Sequence, residues 1–304
     1  NEEQPRKRRT SVKKAPVAAD TAGDDAHLVR VDERPFIVGV VASAGGLEAL
    51  SLLLPSLPKN LGLTYVVVQH LSPTYRSMMS QLLGRETTMT VRDIEDGMLP
   101  EPNMVYITPP NRNLTLKEGY FRLVEPARES MPKPSVNRFF ASLAEEVGES
   151  TIGIILSGTG SDGAAGIHAI KAAGGFTFSQ DPDTAKYNGM PQSAIDTGSV
   201  DWILPPEQMG AEISLIVLNR GLIPVATQAA SAPATLKTLL GKVRSRTKVD
   251  FSQYKEPTLW RRIERRMAAN HVSTLHDYLQ VVDQTPVELD KLCKDILISV
   301  TAFF

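Results

Sequence analysis

Apolar residues along this chain recur with two different spacings, and the switching between them predicts most of its elements. "FIVGVV" (36–41), "TYVVVQ" (64–69), "NMVYIT" (103–108) and "TIGIILSG" (151–158) are short runs rich in β-branched residues, the pattern of strands covered on both faces. "FTFSQ" (176–180) and "VDWIL" (200–204) are the last runs of this kind. Between them the spacing is helical. Leu47, Leu50, Leu54 and Leu57 fall at i, i+3, i+7 and i+10, one face of a helix ending near Pro58. "YRSMMSQLLG" (75–84) predicts a helix closed by Gly84, and "AAGIHAIKAAGG" (164–175) one closed by paired glycines. Ser135 is placed to cap a helix over 135–148 that buries Phe139, Leu143 and Val147. "NLTLKEGYFRLV" (113–124) alternates about Glu118-Gly119 and predicts a hairpin. Strands and helices in alternation imply an α/β fold, a doubly wound, mostly parallel sheet flanked by helices.

The pattern changes near residue 220. "GLIPVATQAASAPATL" (221–236) is uncharged and rich in Ala and Pro, which predicts a linker over 220–235. A small all-α domain (236–304) follows, with helices in "PTLWRRIERRMAA" (257–269), "STLHDYLQVV" (273–282) and "PVELDKLCKDILISV" (286–300). Pro257 and Pro286 suit first turns and Ser273 suits an N-cap. Residues 1–34, with the basic run "RKRRTSVKK" (6–14) and few apolar positions, read as a disordered arm; the main α/β domain spans 35–219.

Composition narrows the function classes. Of 304 residues, 42% are apolar and 22% charged with a net charge of −1, so nothing global points to nucleic acid. No apolar stretch has the length to insert through a bilayer, and no signal-peptide pattern opens the chain. Cys293 is the sole cysteine, which excludes an intrachain disulfide, and no Cys/His cluster suggests a metal. These features together favour the cytoplasm. They specify no oligomeric state.

Chemistry in open α/β sheets gathers beyond the carboxyl ends of the strands. Ser43 follows the first strand in "VVASAGGLEAL", His70 follows the second in "VVVQHLSP", and Asp162 follows the strand at 151–156 in "LSGTGSDGAAG". A serine hydroxyl needs a base to accept its proton, and a carboxylate can fix that base's tautomer. Each residue also has a duller reading: Ser43 and Asp162 as N-caps of the helices they precede, His70 as a loop histidine. Their common placement at equivalent strand ends favours the triad. His27, His168, His271 and His276 fit a base less well, and Val41 replaces the first glycine of G-x-S-x-G, which disfavours an α/β-hydrolase. "GVVASAGG" as a phosphate loop is a weaker rival, matching neither nucleotide fingerprint.

"VASAGGLEAL", "VVVQHLSPTYRSMMSQLL", "VYITPPNRNLTL", "PSVNRFFASLAE", "IILSGTGSDGAAGI", "AAGGFTFSQDPDTAKYNGMPQSAID" and "GSVDWILP" run in order over about residues 35–205. Together they resemble the catalytic domain of the chemotaxis receptor-glutamate methylesterases (CheB-type). The resemblance implies hydrolysis of glutamate methyl esters on a chemoreceptor or related signalling protein, releasing methanol, with deamidation of glutamines as a companion activity. It implies Ser43 as nucleophile, His70 as base, Asp162 as the carboxylate and a backbone amide near Thr159 for the oxyanion. No cofactor is implied for the esterase. The family's usual S-T-G-G is S-A-G-G here, so Ala44 removes a hydroxyl beside the nucleophile.

"VDFSQYKEPTLWRRIERRM", "LHDYL" and "ILISVTAFF" resemble the N-terminal helical domain of the chemotaxis receptor methyltransferases (CheR-type). That resemblance implies a basic partner-binding face of Arg261, Arg262, Arg265 and Arg266, and a cofactor-proximal Thr301. It predicts a fusion truncated before its methyltransferase domain, with S-adenosylmethionine bound only by a full-length protein and no methyl transfer by this chain. The arm before residue 35 is too short for a receiver domain. Beside the esterase stand two other expectations, a docking module without useful turnover and, more distantly, a nucleotide-binding protein.

Overall fold

The computed structural model describes residues 35–70, 78–125, 134–220, 233–251 and 256–298. The predicted arm, most of the linker and Thr301 lie outside them. Seven parallel strands form the central sheet: β1 (Ile37–Ala42), β2 (Thr64–Gln69), β3 (Thr90–Asp93), β4 (Met104–Ile107), β7 (Thr151–Ile155), β8 (Phe176–Gln180) and β9 (Trp202–Leu204). Their order is β3-β4-β2-β1-β7-β8-β9. Every residue of β1 is buried, as a continuous apolar run at the middle of a doubly covered sheet requires. The chain winds outward from β1 through β2 to the edge strand β3, comes back to set β4 between β2 and β3, and then places β7 on the other flank of β1. This reversal opens a crevice at the carboxyl ends of β1 and β7.

One face of the sheet is covered by α1 (Gly46–Ser56) and α6 (Pro206–Arg220), around Leu50, Leu53, Val67 and Ile213. The other carries α3 (Val136–Glu146), α4 (Ala164–Ala172) and α5 (Gly189–Asp196), around Phe139, Phe140, Ile155 and Ile167. The hairpin of β5 (Asn113–Lys117) and β6 (Tyr120–Val124) turns at Glu118 and Gly119, with φ of 54° and 79°, the left-handed pair of a tight two-residue turn. Ser135 caps α3 as its sequence implies, accepting from Arg138 N at 3.5 Å.

The short α2 (Met79–Leu83) falls within the helix predicted over 75–84, with Met78 at its N-cap position; residues 75–77 lie outside the described residues. The remaining departures have physical reasons. β3 carries mostly exposed residues and pairs with β4 alone at the sheet edge, so it lacks the apolar run that marks the other strands. α5 contains Gly189 and Pro191 in its first turn, where both are tolerated, and so resembles a loop in sequence. α6 buries Met209, Ile213 and Ile216 at helical spacing, a pattern legible but not predicted. Leu47 is exposed, because α1 turns Ala49, Leu50, Leu53 and Leu54 inward instead.

The second unit consists of α7 (Pro233–Thr247), α8 (Glu256–Ala269), α9 (Leu275–Gln284) and α10 (Pro286–Ile298). It packs around Trp260, Ile263, Met267, Tyr278 and Leu292. Thr274, not Ser273, caps α9, since its hydroxyl is the one that accepts from Asp277 N. Among the described residues no helix is long and apolar enough to cross a membrane.

The arginine face of α8 corrects the sequence reading. Arg262, Arg265 and Arg266 are buried within the chain, and only Arg261 of the four stays exposed, 3.8 Å from Glu149. Arg262 donates to the carbonyls of Lys171 (3.2 Å) and Ala172 (2.6 Å), and Arg265 donates to Gly175 O at 2.9 Å. These carbonyls lie at and just beyond the carboxyl end of α4, where cations are favoured. Arg265 also bridges Asp201 of the α/β domain and Asp295 of α10, with Phe176 under its guanidinium at 5.2 Å. Lys171 joins the same two aspartates at 2.9 and 3.0 Å, and Arg266 forks onto Glu288 at 2.6 and 2.8 Å. A row of arginines that looks solvated in sequence is thus turned onto carboxylates from both domains and onto the carbonyls at and beyond the end of α4.

Burial pushes the Asp201 carboxyl up, but Arg265, Lys171 and Arg266 outweigh it and hold the group well below the ordinary 3.8. A depressed folded value means the stability Asp201 contributes is complete above 3.8 and is lost as pH falls through the folded value. Between about pH 5 and about pH 2 the wild type should therefore lose urea stability more steeply than Asp201→Asn. Arg265→Ala, which leaves buried carboxylates short of a cation, should cost about 3–5 kcal/mol at neutral pH. Arg261→Ala should cost under about 1 kcal/mol, and equal losses in the two would contradict the buried network.

Candidate active site

Ser43 is the first residue beyond β1. Its amide donates to Ser157 O at 2.9 Å, and its carbonyl accepts from Gly46 N at 2.9 Å. Gly45, with φ of 72°, forms the turn into α1 and occupies its N-cap position. The serine hydroxyl is therefore not spent on capping. It lies 3.3 Å from His70 Nδ1. His70 is the first residue beyond β2, and its amide donates to Ala42 O at 3.1 Å, tying it to the end of β1. Its Nε2 lies 3.2 Å from Asp162 Oδ2, with the two side chains 12% and 6% exposed. The three residues that sequence places at separate strand ends form one chain of contacts across the crevice.

Asp162 is held by a helix other than the one it precedes. Gly163, with φ of 106°, takes the N-cap position of α4. The Asp162 carboxylate instead accepts from the first amides of α3, Val136 N at 2.8 Å and Asn137 N at 3.1 Å. The Asn137 side chain returns the exchange, its Oδ1 accepting from Gly163 N at 3.1 Å and Gly166 N at 2.8 Å. Two helix N-termini thus cap each other through Asp162 and Asn137. Burial pushes the Asp162 carboxyl up, but the His70 hydrogen bond and the two amides outweigh it, leaving the group below its ordinary value. It is anionic at neutral pH and can only accept from His70. That selects the Nε2–H tautomer and leaves the Nδ1 lone pair toward Ser43.

The far side of Ser43 is built by segments 157–160 and 184–190. Ser157 Oγ donates to Ala44 O at 2.8 Å and accepts from Tyr187 N at 3.1 Å. Gln180 accepts from Ser157 N at 2.8 Å and donates to Thr184 O at 3.2 Å, fixing one segment to the other. Gly158 N donates to Tyr187 O and Met190 N donates to Gly158 O, both at 2.9 Å. Gly158 has no room for a side chain, since a Cβ there would stand 2.9 Å from Ser43 Cβ and strike the Met190 sulfur. Thr159, next in the chain, is exposed, and its amide lies one peptide beyond this contact.

Residues 38–213 match the CheB methylesterase family, and residues 234–297 match the all-alpha domain of CheR methyltransferases. The chain belongs to the CheB methylesterase family. The crystal structure of the Thermotoga maritima CheB methylesterase catalytic domain is 33% identical, with a TM-score of 0.56 over 59% of this chain and 97% of that one. The protein-glutamate methylesterase/protein-glutamine glutaminase 1 of Carboxydothermus hydrogenoformans is 35% identical over 59% of this chain and 54% of its own length. An uncharacterized 104.1 kDa protein from the hypE 3′ region of Rhodobacter capsulatus is 34% identical over 74% of this chain. The chain spans 26% of that relative's length, and the match extends beyond the CheB segment alone.

In this CheB-family chain the other described histidines have partners elsewhere. His168 lies 3.0 Å from Ser199, His271 2.9 Å from Glu212, and His276 3.1 Å from Gln280. Asn137, Ser157, Gln180 and Met190 shape the site and were not predicted. Asn137 carried a signal, as it follows a helix start directly, but its partner is 26 residues away at Gly163. Asn137→Ala leaves the Gly163 and Gly166 amides without their side-chain acceptor. It should lower stability by about 1–2 kcal/mol in urea unfolding, the cost of a lost cap, and an unchanged midpoint would contradict the reciprocal capping.

Proposed function

We propose that this chain is a serine esterase acting on glutamate methyl esters, with Ser43 as nucleophile, His70 as base and Asp162 as the carboxylate that orients it. The observation that carries the reading is the run of contacts Ser43–His70–Asp162 at 3.3 and 3.2 Å in the crevice of a CheB-family sheet. Ser43 Oγ attacks the ester carbonyl carbon while His70 Nδ1 takes the hydroxyl proton, and Asp162 stabilises the resulting imidazolium. The tetrahedral oxyanion is received by a main-chain donor, which we assign to the Thr159 amide beside Gly158. Collapse breaks the bond to the methoxy oxygen, which takes the proton from His70 and leaves as methanol. Water, deprotonated by the same nitrogen, then attacks the acyl-serine, and Ser43 departs with the proton to leave a glutamate. An amide enters the same cycle with ammonia as the leaving group, so glutamine deamidation is a second outcome.

The substrate we assign is a methylated chemoreceptor or related signalling protein in the cytoplasm, with no nucleic acid and no membrane insertion. The steps use the chain's own residues and water and call on no cofactor. S-adenosylmethionine belongs, in this reading, to a methyltransferase domain of a longer fusion, and this chain transfers no methyl group. Support for the substrate comes from the methylesterase/glutaminase relative and from the CheR-type helical unit joined to the esterase.

Methanol release from a methyl-esterified receptor fragment tests the proposal. The wild type should turn over, Ser43→Ala should show no release above background, and Asp162→Asn should lose about 10⁴-fold in kcat by holding the wrong tautomer. A wild type that binds several methylated fragments and hydrolyses none would make this a docking module instead.

A further inference from the structure

Segment 186–190 is clamped to the nucleophile turn by its backbone, and its aromatic side chain is left over. Tyr187 N donates to Ser157 Oγ at 3.1 Å, and Tyr187 O accepts from Gly158 N at 2.9 Å. Two residues on, Gly189 packs so closely that a Cβ would lie 3.0 Å from Gly160 N. Lys186 holds the segment from the other side, its Nζ 3.1 Å from Glu48 on α1. None of these bonds uses the phenol ring. The ring lies across Gly45, two residues from Ser43, with Cδ2 only 3.2 Å from where a Gly45 Cβ would stand. It is nevertheless 43% exposed, and Leu47 in the adjoining first turn of α1 is 38% exposed.

The ring packs on the turn at Gly45 with one side and leaves 43% of the residue open to water. Rigid, amphipathic rings of this kind recur where another protein is bound, because they bring apolar area with few side-chain rotations to freeze. A methyl ester alone is too small to touch both the crevice and this lip. The protein that carries the ester is not.

Resting on the esterase reading above, we propose that Tyr187 is a specificity-determining lip that contacts the apolar surface next to the esterified side chain. A protein-borne ester engages it and a small free ester does not. The charged pair Lys186–Glu48 keeps the lip in place and is not itself the recognition element.

Two substrates separate the effects, a methyl-esterified receptor fragment and p-nitrophenyl acetate. Tyr187→Ala should raise KM for the fragment by about tenfold, the size of a single interface anchor, with kcat within about twofold. Its kcat/KM for p-nitrophenyl acetate should fall far less than that for the fragment, and Tyr187→Leu should recover part of the lost affinity. Melting temperatures should change little, since the hydrogen bonds of Tyr187 to Ser157 and Gly158 are made by its backbone and survive truncation of the ring. In the Ser43→Ala background, binding of the fragment should weaken on adding Tyr187→Ala. Equal losses on both substrates, or no change on the fragment, overturn the lip while leaving the esterase standing. A folded wild type inert toward both substrates overturns the esterase reading and the lip with it.

Discussion

The Asp162 carboxylate is the constraint on which the site depends. Three donors converge on it, the amides of Val136 and Asn137 and the His70 ring. Two of these are fixed points of the fold, the opening turn of α3, so the carboxylate's place is set before the imidazole arrives. The cost of burying a charge is offset by the amides and the positive end of a helix. The imidazole is then oriented by a rigid acceptor, and Ser43 is oriented by the strand that ends at Ala42. In the proposed mechanism, preorganisation of this kind lets a weak nucleophile work, because little reorganisation remains when charge develops.

The same helix that begins beside Asp162 ends at the contact with the second unit. α4 spans nine residues, roughly 14 Å of helix, from Ala164 to Ala172. At its amino end Asn137 accepts from the Gly163 and Gly166 amides, and at its carboxyl end Arg262 donates to the Lys171 and Ala172 carbonyls. Both ends of one short element are thereby satisfied by neighbours, one from within the α/β domain and one from the CheR-type helices. Lys171, on the last turn, carries the connection into the buried cluster of Asp201, Asp295 and Arg265. The arginines that a separate helical domain would show to solvent are in this chain part of the packing between domains.

The central strands were legible because a sheet covered on both faces demands unbroken apolar runs. The meeting of Ser43, His70 and Asp162 was legible because winding rules send parallel strand ends to one edge. Their alternative roles as caps could not be dismissed from sequence. Glycines in left-handed conformations took the cap positions and released Ser43 and Asp162, which no side-chain pattern announces. The reciprocal capping of α3 and α4 joins residues 26 apart, and the burial of the α8 arginines joins residues about 64–91 apart. Such partners are set by tertiary packing. α6 is different, since Met209, Ile213 and Ile216 carry a helical spacing that was there to be read.

The tautomer of the neutral His70 ring tests the account most directly, through nitrogen chemical shifts of the histidine rings, with His70 assigned by its loss in His70→Gln. A ring gripped by an anionic Asp162 should carry its proton on Nε2 and show a bare Nδ1 facing Ser43. A proton resident on Nδ1 would contradict the account, because the nitrogen beside the serine could then accept nothing from it.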